Sequence, residues 1–411
     1  MIRQDSDALP SPDPANTPLL TALVVAVFAL TLPVGFAWGL GFAAIVALAG
    51  LFCVPALRYA RPPNRLTWLL IAIVLWAMLS MLWSRAGVDP HGLRRYGDVA
   101  KLTSAKLVLQ LALYGAFIAG ARRLNPRNAS LALMVLAAAI TALSVVVLLD
   151  AVLSARVYMW FSVHVDRAVR PDLARRNIST GLYVVVVLFW CAAVRLIRAR
   201  RRLPVAVTAI CVVAASLVLH EADATLAAFA LGALAFIAVR AWGAVAAKVL
   251  AAVATVYWLG APFVIIAAER LGLIPAVRPF IGPSWDRRLD IWIFSAVRVT
   301  EKPWFGWGLD ASRTFDGGIA LHPHDGAMQV WLELGLVGAA LFAALSLWIW
   351  WLIDRIAVRA RTVGAALAAT LVAYLTIGGV SFGIWQEWWL AIAALGAAAG
   401  LCLIRGIPAR P

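Results

Sequence analysis

Apolar runs of about 17 to 25 residues recur along almost the whole chain, each long enough to cross roughly 30 Å of hydrocarbon as a helix. A backbone in lipid must satisfy its hydrogen bonds internally, and continuous rather than alternating apolar runs leave the helix as the spanning structure. About twelve such runs are legible by this length criterion. They cover 17–32, 34–57, 66–83, 103–120, 130–153, 178–197, 203–220, 224–240, 244–268, 328–352, 363–380 and 384–404. Only Leu32-Pro33-Val34-Gly35 divides the first two, and the break at Glu221 and Asp223 is almost as tight. With 64% hydrophobic and 14% charged residues, the chain departs from a soluble domain, which is about half apolar and about a quarter charged. The expected fold is an all-α integral membrane protein of about twelve spanning helices.

Short cytoplasmic loops carry the excess of Lys and Arg. Arg58/Arg61/Arg65, Arg122/Arg123/Arg127, Arg195/Arg198/Arg200/Arg201/Arg202, Arg240/Lys248 and Arg355/Arg359/Arg361 fall on one side, which is therefore expected to be cytoplasmic, with both termini. The opening "MIRQDSDALPSPDPANTP" lacks a cleavable signal pattern and is expected to be a disordered tail over 1–16. Spans one to nine then occupy 17–268, an external loop 269–327, spans ten to twelve 328–404, and a second tail 405–411. Cys53, Cys191, Cys211 and Cys402 all fall within spans, without metal-ligand spacing, and are read as packed apolar residues.

The external loops carry 16 basic groups despite the general bias: Arg85, Arg94, Arg95 and Lys101, then Arg156, Arg167, Arg170, Arg175 and Arg176, then Arg270, Arg278, Arg287, Arg288, Arg298, Lys302 and Arg313. Arginine outnumbers lysine 32 to 4, and guanidinium suits bidentate capture of phosphate or carboxylate. A polyanionic substrate on the external face fits the pairs Arg175/Arg176 and Arg287/Arg288; lipid phosphates, or an arginine-rich composition, are the simpler reading of any single one. The net charge of +16 is spread over both faces rather than along one soluble patch, which argues against nucleic acid.

In the longest external segment, Gly282-Pro283 makes a turn and Ser284 is a plausible N-cap. Ile291, Trp292, Ser295/Ala296 and Val299 recur at helical spacing up to Glu301-Lys302-Pro303, so an amphipathic interfacial helix is expected. On it Arg288 and Trp292 stand at i and i+4, which would pack the indole beside the arginine stem. Asp286 and Asp290 flank Arg287/Arg288 as candidate salt-bridge partners. His322-Pro323-His324-Asp325 then precedes a membrane helix, with Asp325 able to cap it and to orient a histidine. Most of the 19 tryptophans sit near span ends, as interfacial belts do, whereas Trp304 and Trp307 are candidates for stacking on a sugar or shaping a lipid portal. His91, His164 and His220 are read as loop or interface residues, with His220-Glu221 on the external side.

The string Arg288-Leu-Asp-Ile-Trp292, then Pro303-Trp-Phe-Gly306-Trp-Gly308, then His322-Pro-His324-Asp325 with Gln329, Glu333, Leu334, Gly335 and Gly338 resembles the pattern of the O-antigen ligase and O-antigen polymerase superfamily, over about 50 residues. The resemblance implies a GT-C-like fold with a large periplasmic loop of short helices, set in the bacterial inner membrane with its active site facing the periplasm. It implies an inverting, metal-independent glycosyltransferase without a cofactor, taking a glycan from undecaprenyl diphosphate to an acceptor hydroxyl. His324 and Arg288 match the family's motif residues, and Arg176-Asn177 fits its arginine–asparagine step before the sixth span. Arg175, Arg287, His322, Asp325 and Trp292 join them as expected substrate-binding residues. Asp325 stands where asparagine is usual, and "LHEADATLAAF" replaces a common serine–arginine pair, which leaves that part of the donor site open.

The chemistry is consistent on its own terms. A sugar diphosphate carries a good leaving group, so arginines can neutralise developing phosphate charge without a metal, while histidine can accept the hydroxyl proton. The acceptor is left open between lipid A-core (ligase), a second lipid-linked glycan (polymerase) and a protein; the basic loop at 154–177 favours the first. A transporter of an anionic lipid or metabolite would call for ionisable groups in mid-membrane and paired interrupted helices; apart from Lys106 the spans are read as almost uncharged.

Overall fold

The computed structural model describes residues 17–37, 39–57, 65–88, 103–165, 169–219 and 222–406. Both expected tails (1–16, and 407–411 with Arg410), Arg58, Arg61, the stretch 89–102 with His91, Arg94, Arg95 and Lys101, Arg167, and His220-Glu221 lie outside the described residues. In chain order the helices are α1 (Thr17–Ala29), α2 (Thr31–Ala37), α3 (Gly41–Leu57), α4 (Arg65–Ser80), α5 (Arg85–Val88), α6 (Thr103–Arg122), α7 (Pro126–Val152), α8 (Arg156–His164) and α9 (Pro171–Arg198). They continue with α10 (Arg202–Leu219), α11 (Asp223–Trp242), α12 (Ala244–Arg270), α13 (Leu273–Val277), α14 (Pro283–Glu301), α15 (Gly326–Arg359), α16 (Arg361–Val380) and α17 (Glu387–Arg405). No strand occurs among the described residues.

Among the described residues, eleven helical stretches are long and apolar enough to cross a membrane, so the chain is an all-α, multi-pass integral membrane protein. A further apolar helix, α3, is 17 residues long and accounts for the remaining expected run. The first boundary differs from the sequence reading. α1 and α2 form one stretch, Pro18–Ala37, because Leu30 and Val34 N–H groups reach Ala26 and Leu30 carbonyls across Leu32-Pro33. Proline in the first turn of α2 has no intrahelical donor to lose there, and the chain reverses only at Gly39-Leu40.

Three further boundaries move. α9 starts at Pro171, which fills a first-turn position where a missing N–H is harmless; Arg175 and Arg176 are thus helical rather than in a loop. α14 starts at Pro283 with Gly282 as N-cap, and Ser284 makes no cap. α15 extends over 34 residues but is interrupted at Gly335, where φ is 65° and ψ −160°.

The most enclosed helix is α9, with 83% of its spanning window buried. It packs against α7, α16, α10 and α17, while α11 pairs with α16, α12 with α15 and α3 with α6. Successive spans alternate in direction, so the starts of α9, α11, α15 and α17 share one face with the ends of α12 and α16. Hydrogen bonds across that face (Trp285 to Asp223, His324 to Ser381) and across the other (Arg405 to Arg122 O, Arg195 to Ser130) agree with this arrangement. All four cysteines are buried and unpaired.

The spans are less free of charge than the sequence reading held. Besides Lys106, Asp150 and Glu333 lie within them, and each has ionic or hydrogen-bonding partners. Lys106 pairs with Glu387 at the start of α17, and buried Asp150 accepts the Val157 and Tyr158 N–H groups of α8. Lys106 and Asp150 are thus helix-end fixtures rather than members of a mid-membrane relay.

Candidate active site

Helix α14 forms as its periodicity predicts, burying Ile291, Ser295, Ala296 and Val299. The expected partners of its charges are rearranged. Arg288 lies with its guanidinium over Trp285, one turn earlier, 4.9 Å from the ring centroid. Trp292 instead donates its indole N–H to Pro323 O at 2.9 Å, fastening the histidine loop to α14. Asp286 and Asp290 both bind Arg278 at 2.5 Å, so they are not the counter-ions of Arg287 and Arg288. Arg287, Arg175 and Arg176 are exposed, and Arg288 is half-buried.

His324 has φ 58°, a left-handed conformation that costs on the order of 1 kcal/mol for a non-glycine residue. The turn aims its Nδ1 at Ser381 O, 2.9 Å away, at the end of α16. A carbonyl can only accept, so Nδ1 carries the proton and Nε2 holds the lone pair. No described residue hydrogen-bonds Nε2. Burial pushes the His324 pKa below 6.5, opposed by the Ser381 bond and reinforced by the charges of Arg288 and Arg176. The ring is therefore a neutral base at pH 7.

The same electrostatics locate the cations. Arg288 lies close enough to Arg176, Asp223 and the Tyr183 hydroxyl for their charges to act on it, and burial lowers its own pKa. Neither Arg176 nor Arg288 has a salt bridge among the described residues. Asp223 is instead engaged by the Trp285 indole N–H at 3.1 Å. Excess positive charge thus stands beside a neutral imidazole.

His322 is differently placed. Its Nε2 lies 3.1 Å from the Gln386 side-chain amide and its Nδ1 3.2 Å from the His324 N–H. Burial, with His324 and Arg313 adding to it, brings its pKa down to about 3. Accepting the His324 N–H through Nδ1, it supports the turn under His324. Asp325 caps α15: its Oδ1 accepts from Ala327 N (2.8 Å), Met328 N (3.1 Å) and the Tyr257 hydroxyl (2.9 Å). Burial raises its pKa to about 6. It does not orient either imidazole, because Ser381 O takes that place for His324.

The glycine motifs have a backbone explanation. The break at Gly335 strands carbonyls before it and N–H groups after it, and buried backbone groups need partners. Trp307 N and Gly308 N donate to Leu332 O and Glu333 O, both at 2.8 Å, and Trp76 Nε1 to Leu334 O. Leu336 N donates in turn to Pro303 O at 2.8 Å. The approach is so close that a Cβ on Gly335 would lie 2.4 Å from Trp304 O, and one on Gly306 2.5 Å from Glu333 O. The segment 303–308 therefore caps both halves of α15. Trp307 is held by its N–H to Arg298 O; Trp304 remains exposed.

Glu333 is fully buried, and its carboxylate accepts four hydrogen bonds: Ser312 Oγ (2.6 Å) and Gln329 Nε2 (3.0 Å) on Oε1, Trp385 Nε1 (2.6 Å) and Asp310 N (3.1 Å) on Oε2. Gln329 Oε1 accepts Ile384 N at 2.9 Å. Residues 381–386 are thus bound to the start of α15 through Ser381, Ile384, Trp385 and Gln386, which fixes the carbonyl that holds His324. Sequence reasoning passed over this loop, together with Tyr257, Tyr183, Asp223 and Trp285. Its signal was faint: a short Ser-Phe-Gly-Ile-Trp-Gln interruption between the last two spans. No group of three or more His, Cys, Asp or Glu side chains suited to a metal occurs among the described residues.

Over about a quarter of its length the chain is similar to proteins named "Putative polysaccharide ligase". That of Rickettsia conorii is 33% identical over 26% of this chain and 29% of its own length; that of Rickettsia typhi 35% over 26% and 30%; that of Rickettsia bellii 32% over 26% and 30%. The chain therefore spans about 30% of the length of the curated relatives it matches. No family model and no solved structure matches.

Proposed function

We propose that this protein is a glycan ligase of the bacterial inner membrane, with the site face toward the periplasm. It transfers a glycan from undecaprenyl diphosphate to a hydroxyl of lipid A-core oligosaccharide. The observation that carries the reading is the His324 imidazole, held by Ser381 O, with Nε2 unbonded among the described residues, beside the charges of Arg288 and Arg176. The names of the partial relatives support glycan transfer; the acceptor and the donor lipid are our assignment.

In the reaction, the acceptor hydroxyl oxygen attacks C1 of the donor sugar as its proton passes to His324 Nε2. The C1–O bond to the diphosphate breaks with inversion, and the leaving undecaprenyl diphosphate keeps the electron pair. Arg288, held over Trp285, neutralises the charge that grows on the phosphate, where a preorganised cation acts without reorganisation, and the nearby charge of Arg176 adds to it. Arg175 and Arg287 are exposed neighbours in sequence that draw the polyanion in. The imidazolium that forms keeps its Nδ1–H bond to Ser381 O, so the base need not turn during the step.

The test is transfer in proteoliposomes without added metal, offering undecaprenyl-diphosphate-linked glycan with lipid A-core or with a second copy of the donor as acceptor. Product on lipid A-core that disappears with His324→Ala, donor binding being retained, supports the reading. Chain extension of the donor would make the enzyme a polymerase. Movement of a lipid or metabolite across the bilayer, with neither acceptor modified, would replace the transferase reading with a transporter.

A further inference from the structure

Between the end of α12 and the start of α14, the segment 271–280 exposes apolar side chains outside any spanning helix. Leu271 is 74% exposed, Leu273 55%, Val277 47% and Phe280 87%, while Ile274 points inward at 5%. Four large apolar groups turned outward in ten residues would form a patch that a monomer in water rarely keeps. The patch continues a lipid-facing stripe on α12, where Val249, Val253, Val256, Phe263 and Val264 are all at least half exposed at helical spacing.

The basic group at the heart of this segment is not free to seek a lipid phosphate. Arg278 is held by Asp286 and Asp290, both on the first two turns of α14. The segment is consequently clamped to the turns that carry Arg287 and Arg288.

We propose that residues 271–280 are a monotopic anchor, lying in the interface of the bilayer leaflet on the site face, and that the Arg278 clamp transmits its depth to the start of α14. The occupant of the patch is the lipid acyl–headgroup boundary. Continuity with the lipid-facing side of α12 argues for lipid, and amphipathic segments bury their apolar side 5–10 Å or so into that boundary. The anchor holds the Arg287/Arg288 turn at the level of lipid phosphates whatever substrate the site takes, so the inference does not depend on the glycan reading.

Depth-dependent quenching tests it. The four native cysteines are buried, so single cysteines at Leu271, Phe280 and, as an aqueous control, exposed Asp316 can be labelled with an environment-sensitive nitrobenzoxadiazole dye. After reconstitution into phosphatidylcholine–phosphatidylglycerol vesicles, dyes at 271 and 280 should emit to the blue of the 316 dye. They should also lose most of their intensity to lipids spin-labelled near the headgroup or at carbon 5. Emission and iodide quenching equal to those at 316 would overturn the anchor, and quenching by a second copy of the protein in place of lipid would make the patch a self-association surface. For the clamp, a dye at Ser284→Cys is compared with and without Asp286→Asn/Asp290→Asn: a shift in its depth while the 280 dye stays in lipid is expected, and an unchanged depth refutes the coupling.

Discussion

Replacing Glu333 tests the claim that one buried carboxylate holds the site together. In Glu333→Gln the new amide can turn its NH2 toward Ser312 and Gln329, keeping its oxygen for Trp385 Nε1 and Asp310 N. Ser312 Oγ can reverse its role and accept, so only the Gln329 N–H loses its partner; Gln329 cannot flip, because its oxygen holds Ile384 N. One orphaned donor costs about 1–3 kcal/mol. Glu333→Ala orphans four donors, a loss of about 4–12 kcal/mol before water or relaxation recovers part of it, and opens a cavity besides. That approaches the whole stability of a typical domain, about 5–15 kcal/mol. Thermal unfolding in detergent should therefore rank wild type above Gln and Gln far above Ala. Transfer by the Gln variant should fall with kcat, because the loop bearing Ser381 O is loosened while the cations stay in place. Equal losses for Gln and Ala, or a wild-type midpoint for Ala, would refute the hydrogen-bond accounting.

Three further outcomes follow from the site. The proton-accepting form of His324 predominates above a pKa lowered from 6.5, so kcat/KM should rise with pH to a plateau whose midpoint lies below 6.5; Arg288→Gln and Arg176→Gln should move that midpoint upward, since each removes a charge that depresses it, and an unmoved profile contradicts their proximity to the base. Asp325 has its folded pKa raised from 3.8 to about 6, so its contribution favours folding fully below 3.8 and is lost as pH rises through about 6; Asp325→Asn, which keeps the accepting oxygen of the cap, should lack this decline when melting is followed across pH 4 to 7 or so. Gly335→Ala should lower the melting midpoint steeply, since strain of about 1–3 kcal/mol adds to a backbone clash, whereas Gly115→Ala, with nothing within 4 Å of its added Cβ, should gain about 0.5–1 kcal/mol; equal effects would show that the Gly335 break is not required.

What was legible in the sequence is what depends on neighbours along the chain. Run length and hydropathy fix the spanning helices, because a helix in lipid satisfies its backbone within itself. The period of Ile291, Ser295/Ala296 and Val299 fixes the buried side of α14 in the same local way. Helix ends were less secure: Pro33 and Pro171 fit within first turns, where a proline starts or continues a helix as readily as it stops one. Partner choice was not legible at all. Trp292 and Trp285 are both within reach of Arg288 along a helix; the guanidinium lies over Trp285, while the Trp292 N–H goes to Pro323 O.

The histidines, arginines and glycines were visible as residue types in order, while their roles came from groups that sequence does not distinguish. Ser381 acts through its carbonyl, which every residue possesses, and it reaches His324 from 57 positions away. Residues 303–308 meet Leu332–Gly335 through backbone atoms, and the glycines matter because a Cβ would separate the strands of chain. Charge pairing was decided the same way, since Asp286 and Asp290 turn to Arg278 and leave Arg287 and Arg288 without a salt bridge among the described residues. The sequence thus determined that the chain crosses a membrane many times and carries a basic, histidine-bearing face. Only the tertiary structure decided which imidazole nitrogen is held by a carbonyl and which cations stand beside the ring, because hydrogen bonds and Coulomb forces act over a few ångströms of space, irrespective of separation along the chain.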